Sequence, residues 1–568
     1  MTSPEKGMDD ATSAFAIGVD FGTESARAVL IRLSDGEEIA TSVHPYSHGV
    51  MDEVLTYTGE RLPSDTALQD PMDYLEALTA TVKSVIERSN VSPEAVIGIG
   101  IDTTACTLVF ADKDLVPLSQ DPRFVSRPLA YARLWKHHAA QRYADRINAL
   151  ASQREGLYLP SYGGLVNAEW LLPKALQVMV ESPDVYHATE KIIEQQDWIV
   201  SNLVGREVRA ASVAGYKGMY LEERGGYPTQ DFLDELEPGF SSVLEKVGHE
   251  FLPPAAQAGT ITTEWAERLG LIESTVVAAG IIDAHVAMLG CGVVTPGTMV
   301  AVMGTSVCNL LVTDDRYEPQ GIQGVVKDGI IPGKWGYEAG QAGVGDTFGW
   351  FVKHMASADV ADRAAISGRS LFNVVEADAA ELQPGESGLL ILDWLNGNRS
   401  VLIDSQLSGV ILGLTLATRS HEIYRALIEA AGFGQRMIFE AFESTGITID
   451  RFVVCGGLPN KSPLLMQVLA DITGRTVEVS GSEHTPAVGA ALHAALAAGH
   501  FDTWEECARV APSISRTYIP SSTRHEQYRE IFDLYRSLHD ELGVDHPSYM
   551  YRLRNIQVRA RENSAAAH

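Results

Sequence analysis

The first strong pattern lies at residues 15–33, which read FAIGVDFGTESARAVLIRL. Apolar residues alternate with small ones as far as Val19, a mainly polar run follows from Asp20 to Ser25, and apolar residues resume at Val29. Alternation with a period of two is typical of a strand, and a polar run containing glycine between two such stretches indicates a turn. The sequence therefore predicts a hairpin with polar residues at its turn.

Helical and strand-like patterns alternate along the rest of the chain. Apolar residues recur at helical spacing in residues 71–89 and again in 421–446. A strand–turn–strand pattern covers 95–112, and residues 451–479 read strand, glycine turn, helix, strand. An apolar helix at 485–499 is expected to close the core. This alternation predicts the α/β class with a largely parallel sheet.

The hairpin pattern recurs at residues 299–314, which read MVAVMGTSVCNLLVTD. Gly22–Thr23 in the first copy and Gly304–Thr305 in the second hold the same place. Two copies in the two halves of the chain suggest two related domains that face one nucleotide. We place these domains at residues 14–282 and 283–550.

The residues of the first turn suit phosphate binding. Gly22 lets a ligand approach the backbone because it has no Cβ, and the Thr23 hydroxyl and nearby N–H groups can donate to phosphate oxygens. Arg27 offers a cation nearby, and the Asp20 carboxylate could hold Mg²⁺, usually through water. An ordinary hairpin with a polar turn is the alternative, and this stretch alone does not decide between them.

Charge and cysteine content narrow the classes of partner. The formal net charge of −30 disfavours binding to nucleic acid or to an anionic membrane. The five cysteines are widely spread without CxxC spacing, which predicts free thiols rather than a zinc or disulfide framework. The polar N-terminus lacks the apolar core of a signal peptide. We expect a cytoplasmic protein that binds neither nucleic acid nor membrane.

Three common enzyme signatures are missing from the sequence. No GxxxxGK[ST] loop is present, which disfavours a P-loop kinase. The pair Gly98 and Gly100 lacks the third glycine of a dinucleotide fingerprint, and Gly304–Cys308 lacks the last glycine of a nucleophile elbow. The sequence therefore disfavours a P-loop kinase, a dehydrogenase and an esterase.

Asp283 is the strongest candidate for acid–base chemistry. It follows the apolar strand pattern of Val276–Ile282 and precedes a helix-like stretch, so it is expected at the carboxyl end of a strand. Open α/β sheets bind their ligands at that end. A carboxylate there could accept the proton of a hydroxyl that attacks phosphorus. A helix N-cap is the alternative that the position also allows.

Taken together, the layout over about residues 14–550 resembles the carbohydrate kinases of the actin-like ATPase superfamily, which include glycerol kinase and xylulokinase. The resemblance implies two actin-like (ribonuclease H-like) domains with a cleft between them, ATP and Mg²⁺ as cofactors, and Asp283 as the catalytic base. It places Mg²⁺ at Asp20. The positions that it implies for the nucleotide are Gly22, Thr23, Arg27, Gly304, Thr305, Gly345, Gly456, Gly457 and Ser462.

Four positions resemble the sugar contacts of the family members that act on L-ribulose: Ala105, Lys217, Asp283 and Glu338. The motifs LWKHH at 134–138 and EWLLPK at 169–174 are typical of the same members. The resemblance therefore implies an ATP-dependent kinase that phosphorylates L-ribulose on its 5-hydroxyl, in L-arabinose catabolism. A small sugar is the expected partner, and the oligomeric state is left open, with a homodimer as one candidate.

Three alternatives remain at this point. The chain could be a kinase for another ketose or polyol, such as D-ribulose, ribitol or D-xylulose. It could be a chaperone-like ATPase switch, although no appended β-rich domain is found after residue 500. It could also be a sugar-binding regulator without catalysis, although Asp20 and Asp283 are both present.

Overall fold

Two sheets with matching strand order form the framework of the protein. A computed structural model gives the structure of residues 13–154, 156 and 158–565. Its strands are β1 (Phe15–Phe21), β2 (Ser25–Arg32), β3 (Glu38–Pro45), β4 (Leu68–Gln69), β5 (Val96–Thr103), β6 (Leu108–Ala111), β7 (Ala132–Arg133), β8 (Lys191–Glu194), β9 (Gln257–Thr260), β10 (Val276–Ala278), β11 (Ile281–Ile282), β12 (Thr298–Met303), β13 (Val307–Thr313), β14 (Gly324–Lys327), β15 (Trp335–Gln341), β16 (Leu390–Leu392), β17 (Val410–Leu412), β18 (Arg451–Cys455), β19 (Val477–Ser480) and β20 (Ile514–Tyr518).

The α-helices are α1 (Pro71–Ser89), α2 (Gln141–Gln153), α3 (Leu171–Glu181), α4 (Pro183–Ala188), α5 (Gln195–Val204), α6 (Ala211–Lys217), α7 (Gln230–Leu236), α8 (Thr263–Leu269), α9 (Asp283–Gly290), α10 (Val344–His354), α11 (Ala358–Ser367), α12 (Leu371–Ala380), α13 (Ser420–Glu443), α14 (Gly457–Lys461), α15 (Pro463–Thr473), α16 (Thr485–Ala497), α17 (Trp504–Ala508), α18 (Ser522–Asp540) and α19 (Ser548–Ala565). The helix predicted at 71–89 is confirmed as α1, and the helix predicted at 421–446 is confirmed as α13.

The two halves repeat one topology. Five strands of the first sheet run in the order β3-β2-β1-β5-β10, and five strands of the second run in the order β15-β13-β12-β18-β19. In each sheet the first two of these pairings are antiparallel and the last two are parallel. The two predicted hairpins, β1–β2 and β12–β13, thus occupy equivalent central positions.

The expectation of largely parallel sheets is wrong, because both sheets are mixed. The turns that join β1 to β2, β2 to β3 and β12 to β13 contain only a few residues. A parallel connection needs a dozen residues or more, so these neighbouring strands must run antiparallel.

Helices α9 and α16 form a layer that joins the two halves. One apolar cluster contains residues of both helices and of strands from both sheets. Helix α16 lies directly on β1 and β5 of the first sheet. A Cβ on Gly18 would lie 1.7 Å from the carbonyl oxygen of Ala487, and one on Gly100 would lie 2.0 Å from that of Ala490. Only glycine permits this approach of helix to sheet.

The predicted helix at 485–499 is therefore confirmed as α16, and it closes a core to which both halves contribute. Its alanine- and glycine-rich surface covers the sheet of the first half, and its apolar residues share a cluster with Val300, Leu310 and Val453 of the second sheet. The same contact gives Gly98 a packing role, since a Cβ there would lie 2.9 Å from the carbonyl oxygen of Ala494.

The region after β5 forms a separate layer beside the first sheet. The strand–turn–strand pattern at 95–112 is confirmed, but its strands belong to different sheets, since β6 pairs with β7 and β8. A separate apolar cluster forms around these strands and helices α2, α3 and α7. Helix α6 packs against β14 of the second sheet, so this region reaches across to the other half.

Two negative findings apply to the described residues. No helix among them is long and apolar enough to cross a membrane. All five cysteines are free, as their spacing predicted.

Candidate active site

A cavity of about 310 Å³ opens between the two halves of the chain. Both hairpin turns contribute to it, through Gly22 and Thr23 from the first copy and Gly304 and Thr305 from the second. The four predicted sugar contacts, Ala105, Lys217, Asp283 and Glu338, line the same cavity. Residues far apart in sequence therefore converge on one space, whose volume falls in the range of small-molecule sites.

Three carboxyl groups gather at the carboxyl ends of adjacent parallel strands. Asp20 of β1 pairs in register with Asp102 of β5, and Asp283 follows β11, which pairs with the same end of β5. Burial, and after it the negative charge of Asp20, raises the pKa of Asp283 to about 7. A carboxyl group with this pKa exchanges a proton easily near neutral pH, as a general base must.

Asp102 was not among the predicted site residues. Its side chain is fully buried, and no N–H or O–H group of the described residues donates to either of its oxygens. Burial, and then the charges of Asp20 and Asp283, raises its pKa. Asp102 contacts the Asp20 carboxyl group, so it lies behind the group that was predicted to bind metal. The shared end of two parallel strands was the sequence signal that could have revealed it.

The first half of the site has oxygen donors that suit Mg²⁺. Among the described residues, no group of three or more His, Cys, Asp or Glu side chains forms a metal site by itself. Mg²⁺ is usually bound by one or two carboxylates together with water and substrate phosphates, and Asp20, with Asp102 behind it, fits that pattern. Arg27 lies 3.6 Å from Asp20, and its positive charge opposes the rise in the Asp20 pKa that burial causes.

The two turns are closed by matching backbone hydrogen bonds, and the second has open space beside its glycine. The N–H of Gly22 donates to the carbonyl of Ser25, and the N–H of Gly304 donates to that of Ser306. A Cβ on Gly304 would meet no atom within 4 Å, so the space beside this backbone is open. The indole of Trp135, from the LWKHH motif, donates to the Thr23 hydroxyl at 3.1 Å and fixes the first turn.

A buried hydrogen-bond chain reaches the cavity through Lys217 and Glu338. Lys217 donates to one oxygen of Glu338 at 2.7 Å, and His285 Nε2 lies 3.0 Å from the other. Ser212 Oγ lies 3.1 Å from His285 Nδ1. Burial lowers the pKa of His285, so the ring is neutral, with Nε2–H donating to Glu338 and Nδ1 accepting from Ser212.

The charges of Lys217 and Glu338 stabilise each other. Burial by itself would lower the pKa of Lys217, but the Glu338 carboxylate outweighs it and raises that pKa. Burial by itself would raise the pKa of Glu338, but Lys217 and His285 bring it well below its usual range. The pair therefore presents one fixed cation and one fixed anion, which can donate to and accept from sugar hydroxyls.

Comparison with known proteins identifies the family. Residues 15–290 match the N-terminal domain of the FGGY family of carbohydrate kinases, and residues 299–498 match the C-terminal domain of the same family. The chain belongs to the FGGY family of carbohydrate kinases. As a member, it is a sugar kinase that uses ATP as the phosphate donor.

Individual FGGY relatives agree with the family match. A ribulokinase from Shouchella clausii is 44% identical over 560 residues, which cover 98% of this chain and 99% of the relative. A ribulokinase from Mycolicibacterium smegmatis is 45% identical over 549 residues, which cover 96% of this chain and 97% of the relative.

Solved FGGY structures share the fold. A xylulose kinase from Rhodospirillum rubrum superposes with a TM-score of 0.75 at 21% identity, covering 94% of this chain and 99% of that one. Plasmodium falciparum glycerol kinase with ADP gives a TM-score of 0.73 at 15% identity, covering 93% of this chain and 98% of that one. The predicted actin-like fold is confirmed.

Three glycines of this FGGY kinase that were predicted to contact the nucleotide, Gly345, Gly456 and Gly457, differ from one another in how closely they are packed. A Cβ on Gly345 would lie 2.4 Å from the carbonyl oxygen of Gly304, and a Cβ on Gly456, which has a φ of +94°, would lie 2.6 Å from that of Met303. Both glycines therefore pack tightly against the strand and turn of the second hairpin. Gly457 begins α14 and faces open space.

Ser462 has a structural role in addition to the predicted one. It is buried, donates to Glu376 at 2.9 Å, and accepts from the N–H of Leu465 as the N-cap of α15. Arg27, Gly345, Gly456, Gly457 and Ser462 lie outside the cavity lining. Their contacts with the nucleotide stay predictions.

Replacing Gly304 with valine should weaken ATP use without unfolding the protein. The new side chain would enter the open space beside the turn, so we expect KM for ATP to rise by about 10- to 100-fold through displacement of the phosphates. Steady-state kinetics at saturating sugar would measure this. Gly349→Ala, in an equally open position on α10 outside the cavity, is the matched control. An unchanged KM for ATP would remove Gly304 from the phosphate site.

Proposed function

We propose that this kinase transfers the γ-phosphoryl group of ATP to the 5-hydroxyl of L-ribulose. The observation that carries the proposal is the position of Asp283, with its pKa near 7, in one cavity with the Lys217–Glu338 pair and both hairpin turns. Relatives named ribulokinase, at about 44% identity over nearly the whole chain, support L-ribulose as the sugar.

Asp283 is the general base in this proposal. It accepts the proton of the sugar 5-hydroxyl while that oxygen bonds to the γ-phosphorus. The bond between the γ-phosphorus and the oxygen of the leaving ADP breaks, so the products are the sugar 5-phosphate and ADP. Asp283 also accepts a hydrogen bond from its neighbour Ala284 at 2.6 Å, which fixes its carboxylate at the start of α9. The alternative that Asp283 is the N-cap of this helix is wrong, because Ile282 holds the N-cap position and Asp283 is the first residue of α9.

The remaining predicted residues bind and orient. Thr23, Gly304 and Thr305 hold the phosphates, and Asp20 holds Mg²⁺, which when bound neutralises phosphate charge. Lys217 donates to sugar oxygens, Glu338 accepts from sugar hydroxyls, and Ala105 forms the wall of the pocket. A second candidate, a kinase for D-ribulose, ribitol or D-xylulose, would differ only around this sugar subsite.

Three broader expectations belong to the same proposal. The two domains divide at residue 283, where α9 begins. The protein works in the cytoplasm in L-arabinose catabolism. A homodimer is its candidate assembly, which sedimentation of the purified protein would test.

Sugar-dependent ADP release tests the function directly. Purified protein would be assayed with Mg-ATP and L-ribulose, D-ribulose, ribitol, D-xylulose or glycerol. We expect the highest kcat/KM for L-ribulose. A higher value for another sugar would keep the kinase but overturn the substrate. If no sugar stimulates ADP release, the switch or the sugar-binding regulator would be favoured instead.

A further inference from the structure

Arg399 is a cation inside the cavity that the proposed mechanism does not use. It is partly buried and lies in the segment between β16 and β17 of the second half. The neighbouring Ser400 hydroxyl accepts from the N–H of Gly340 at 3.1 Å, which ties this segment to β15. Within the described ranges, the Arg399 guanidinium has no ion pair or hydrogen bond. Its five N–H donors are therefore available for a ligand.

The Arg399 side chain lies on the cavity side of β15, near the end of that strand. Glu338, which lines the cavity, and Gly340 are two residues apart on β15, so they face the same side of the sheet. A Cβ on Gly340 would lie 3.0 Å from Arg399 Cδ and 3.6 Å from Arg399 Nη1, so the side chain passes over this glycine. Gly340 pairs with Cys308, which lines the cavity two residues after the second hairpin turn, Gly304–Ser306. Arg399 is therefore nearer to that turn than Glu338 is, by two residues or about 7 Å of strand.

The two glutamates that line the same cavity have partners of their own. Glu169 Oε1 lies 3.1 Å from His138 Nε2, and Glu338 accepts from Lys217 at 2.7 Å. In the part of the chain that the structure describes, neither forms an ion pair with Arg399. A ketose is uncharged, so the anion that the reaction itself brings to Arg399 is the polyphosphate of ATP. Planar guanidinium groups match the geometry of phosphate oxygens.

We propose that Arg399 binds the oxygens of the γ-phosphoryl group as this group moves from ATP to the sugar hydroxyl. Its position fits this role, because it lies between the turn proposed for the phosphates and Glu338, a proposed sugar contact. A guanidinium can donate two N–H groups to one phosphate, and its positive charge stabilises the transition state of phosphoryl transfer. The bonds that form and break are those of the proposed reaction, and Arg399 keeps its protons throughout. This inference rests on the proposed function and adds a catalytic residue to it.

Arg399→Gln tests the inference through the separation of kcat from binding. The substitution removes the charge and the guanidinium fork. We expect kcat with L-ribulose to fall by about 10²- to 10³-fold, as when one preorganised donor to a transition state is removed. KM for L-ribulose and Kd for ADP, which lacks the γ-phosphoryl group, should stay within about twofold of the original. Steady-state kinetics and calorimetric titration would measure these values.

A mimic of the group in transfer gives a readout that does not need turnover. ADP with aluminium fluoride resembles the nucleotide during phosphoryl transfer. With L-ribulose present, Arg399→Gln should weaken the binding of this mimic by at least about tenfold and leave the binding of ADP alone unchanged. Equal weakening of the mimic and of ADP would overturn the inference, since Arg399 would then not distinguish the γ-phosphoryl position.

Two further variants complete the test. Arg363→Gln, which removes an exposed arginine from α11, is the matched control and should leave kcat unchanged. Arg399→Lys serves if Arg399→Gln folds poorly: it keeps the cation but loses the fork, so kcat should fall about tenfold.

The outcomes separate this inference from the proposed function. An unchanged kcat in the Arg399 variants, or a rise in KM for L-ribulose as their main effect, would overturn the role of Arg399. Failure of the unsubstituted protein to release ADP with every sugar would instead overturn the proposed function.

Discussion

Asp283→Asn will lose nearly all sugar-dependent ADP release and will still bind ATP. The amide keeps the size of the side chain and can still accept from the Ala284 N–H, but it cannot take a proton from the sugar. Loss of a general base typically lowers turnover by about 10²- to 10⁴-fold, so kcat should fall within that range. Coupled-assay kinetics measure kcat, and calorimetric titration with an ATP analogue measures binding.

The control for Asp283→Asn must separate lost chemistry from a lost buried charge. Asp393→Asn serves this purpose, because burial also raises the pKa of Asp393, to about 6, and this residue lies outside the cavity lining. It should leave kcat within about threefold. If Asp283→Asn keeps a tenth or more of the original turnover, the assignment of the base is wrong.

Lys217→Met will both destabilise the protein and weaken sugar binding. The side chains of Lys217 and Glu338 are only 11% and 10% exposed. Removing the cation therefore leaves a buried carboxylate whose one remaining side-chain partner, among the residues that the structure describes, is His285. Breaking a buried ion pair in this way costs roughly 3–5 kcal/mol of stability. We expect a clear fall in the unfolding midpoint in denaturant, together with a higher KM for the sugar.

A second substitution separates the two effects of Lys217. In the double variant Lys217→Met with Glu338→Gln, the unpaired charge is gone, so much of the lost stability should return. Sugar binding should not return, because both polar contacts of the proposed subsite have been altered. Recovery of sugar KM along with stability would show that Lys217 only supports the fold. An unchanged unfolding midpoint in Lys217→Met would contradict the role of the buried Lys217–Glu338 ion pair in stability.

The sequence foretold the features that depend on near neighbours. The hairpin at β1–β2 and its repeat at β12–β13 could be predicted, because the pattern of apolar positions and the Gly-Thr turn that define a hairpin extend over only a few residues. Helices α1 and α13 could be predicted for the same reason, from the spacing of their apolar residues. The internal repeat also predicted a repeated topology, since two copies of one pattern tend to form two copies of one unit.

The family resemblance added Lys217 and Glu338 to the predicted site. Their positions in the sequence alone gave no sign that the two side chains would meet. They are separated by 121 positions, and they meet because α6 of the first half packs against β14 of the second. His285 lies only two residues after Asp283, yet nothing in its surrounding sequence indicated that it would hold Glu338. That bond depends on the angle at which α9 leaves β11, which no local pattern encodes.

By itself the sequence determined the two hairpins, the main helices, the repeat and Asp283 at the end of a strand. Only the tertiary structure decided that α16 covers the first sheet, that Asp102 is buried behind Asp20, and that Arg399 and Glu169 face one cavity. The physical reason is the range of the forces involved. Turn chemistry and apolar periodicity act between residues that are near each other in the sequence. Burial instead brings together surfaces from distant parts of the chain that are complementary in shape. The close packing of α16 on Gly18 and Gly100 depends on the shape of the helix and of the sheet together, so neither sequence segment predicts it alone.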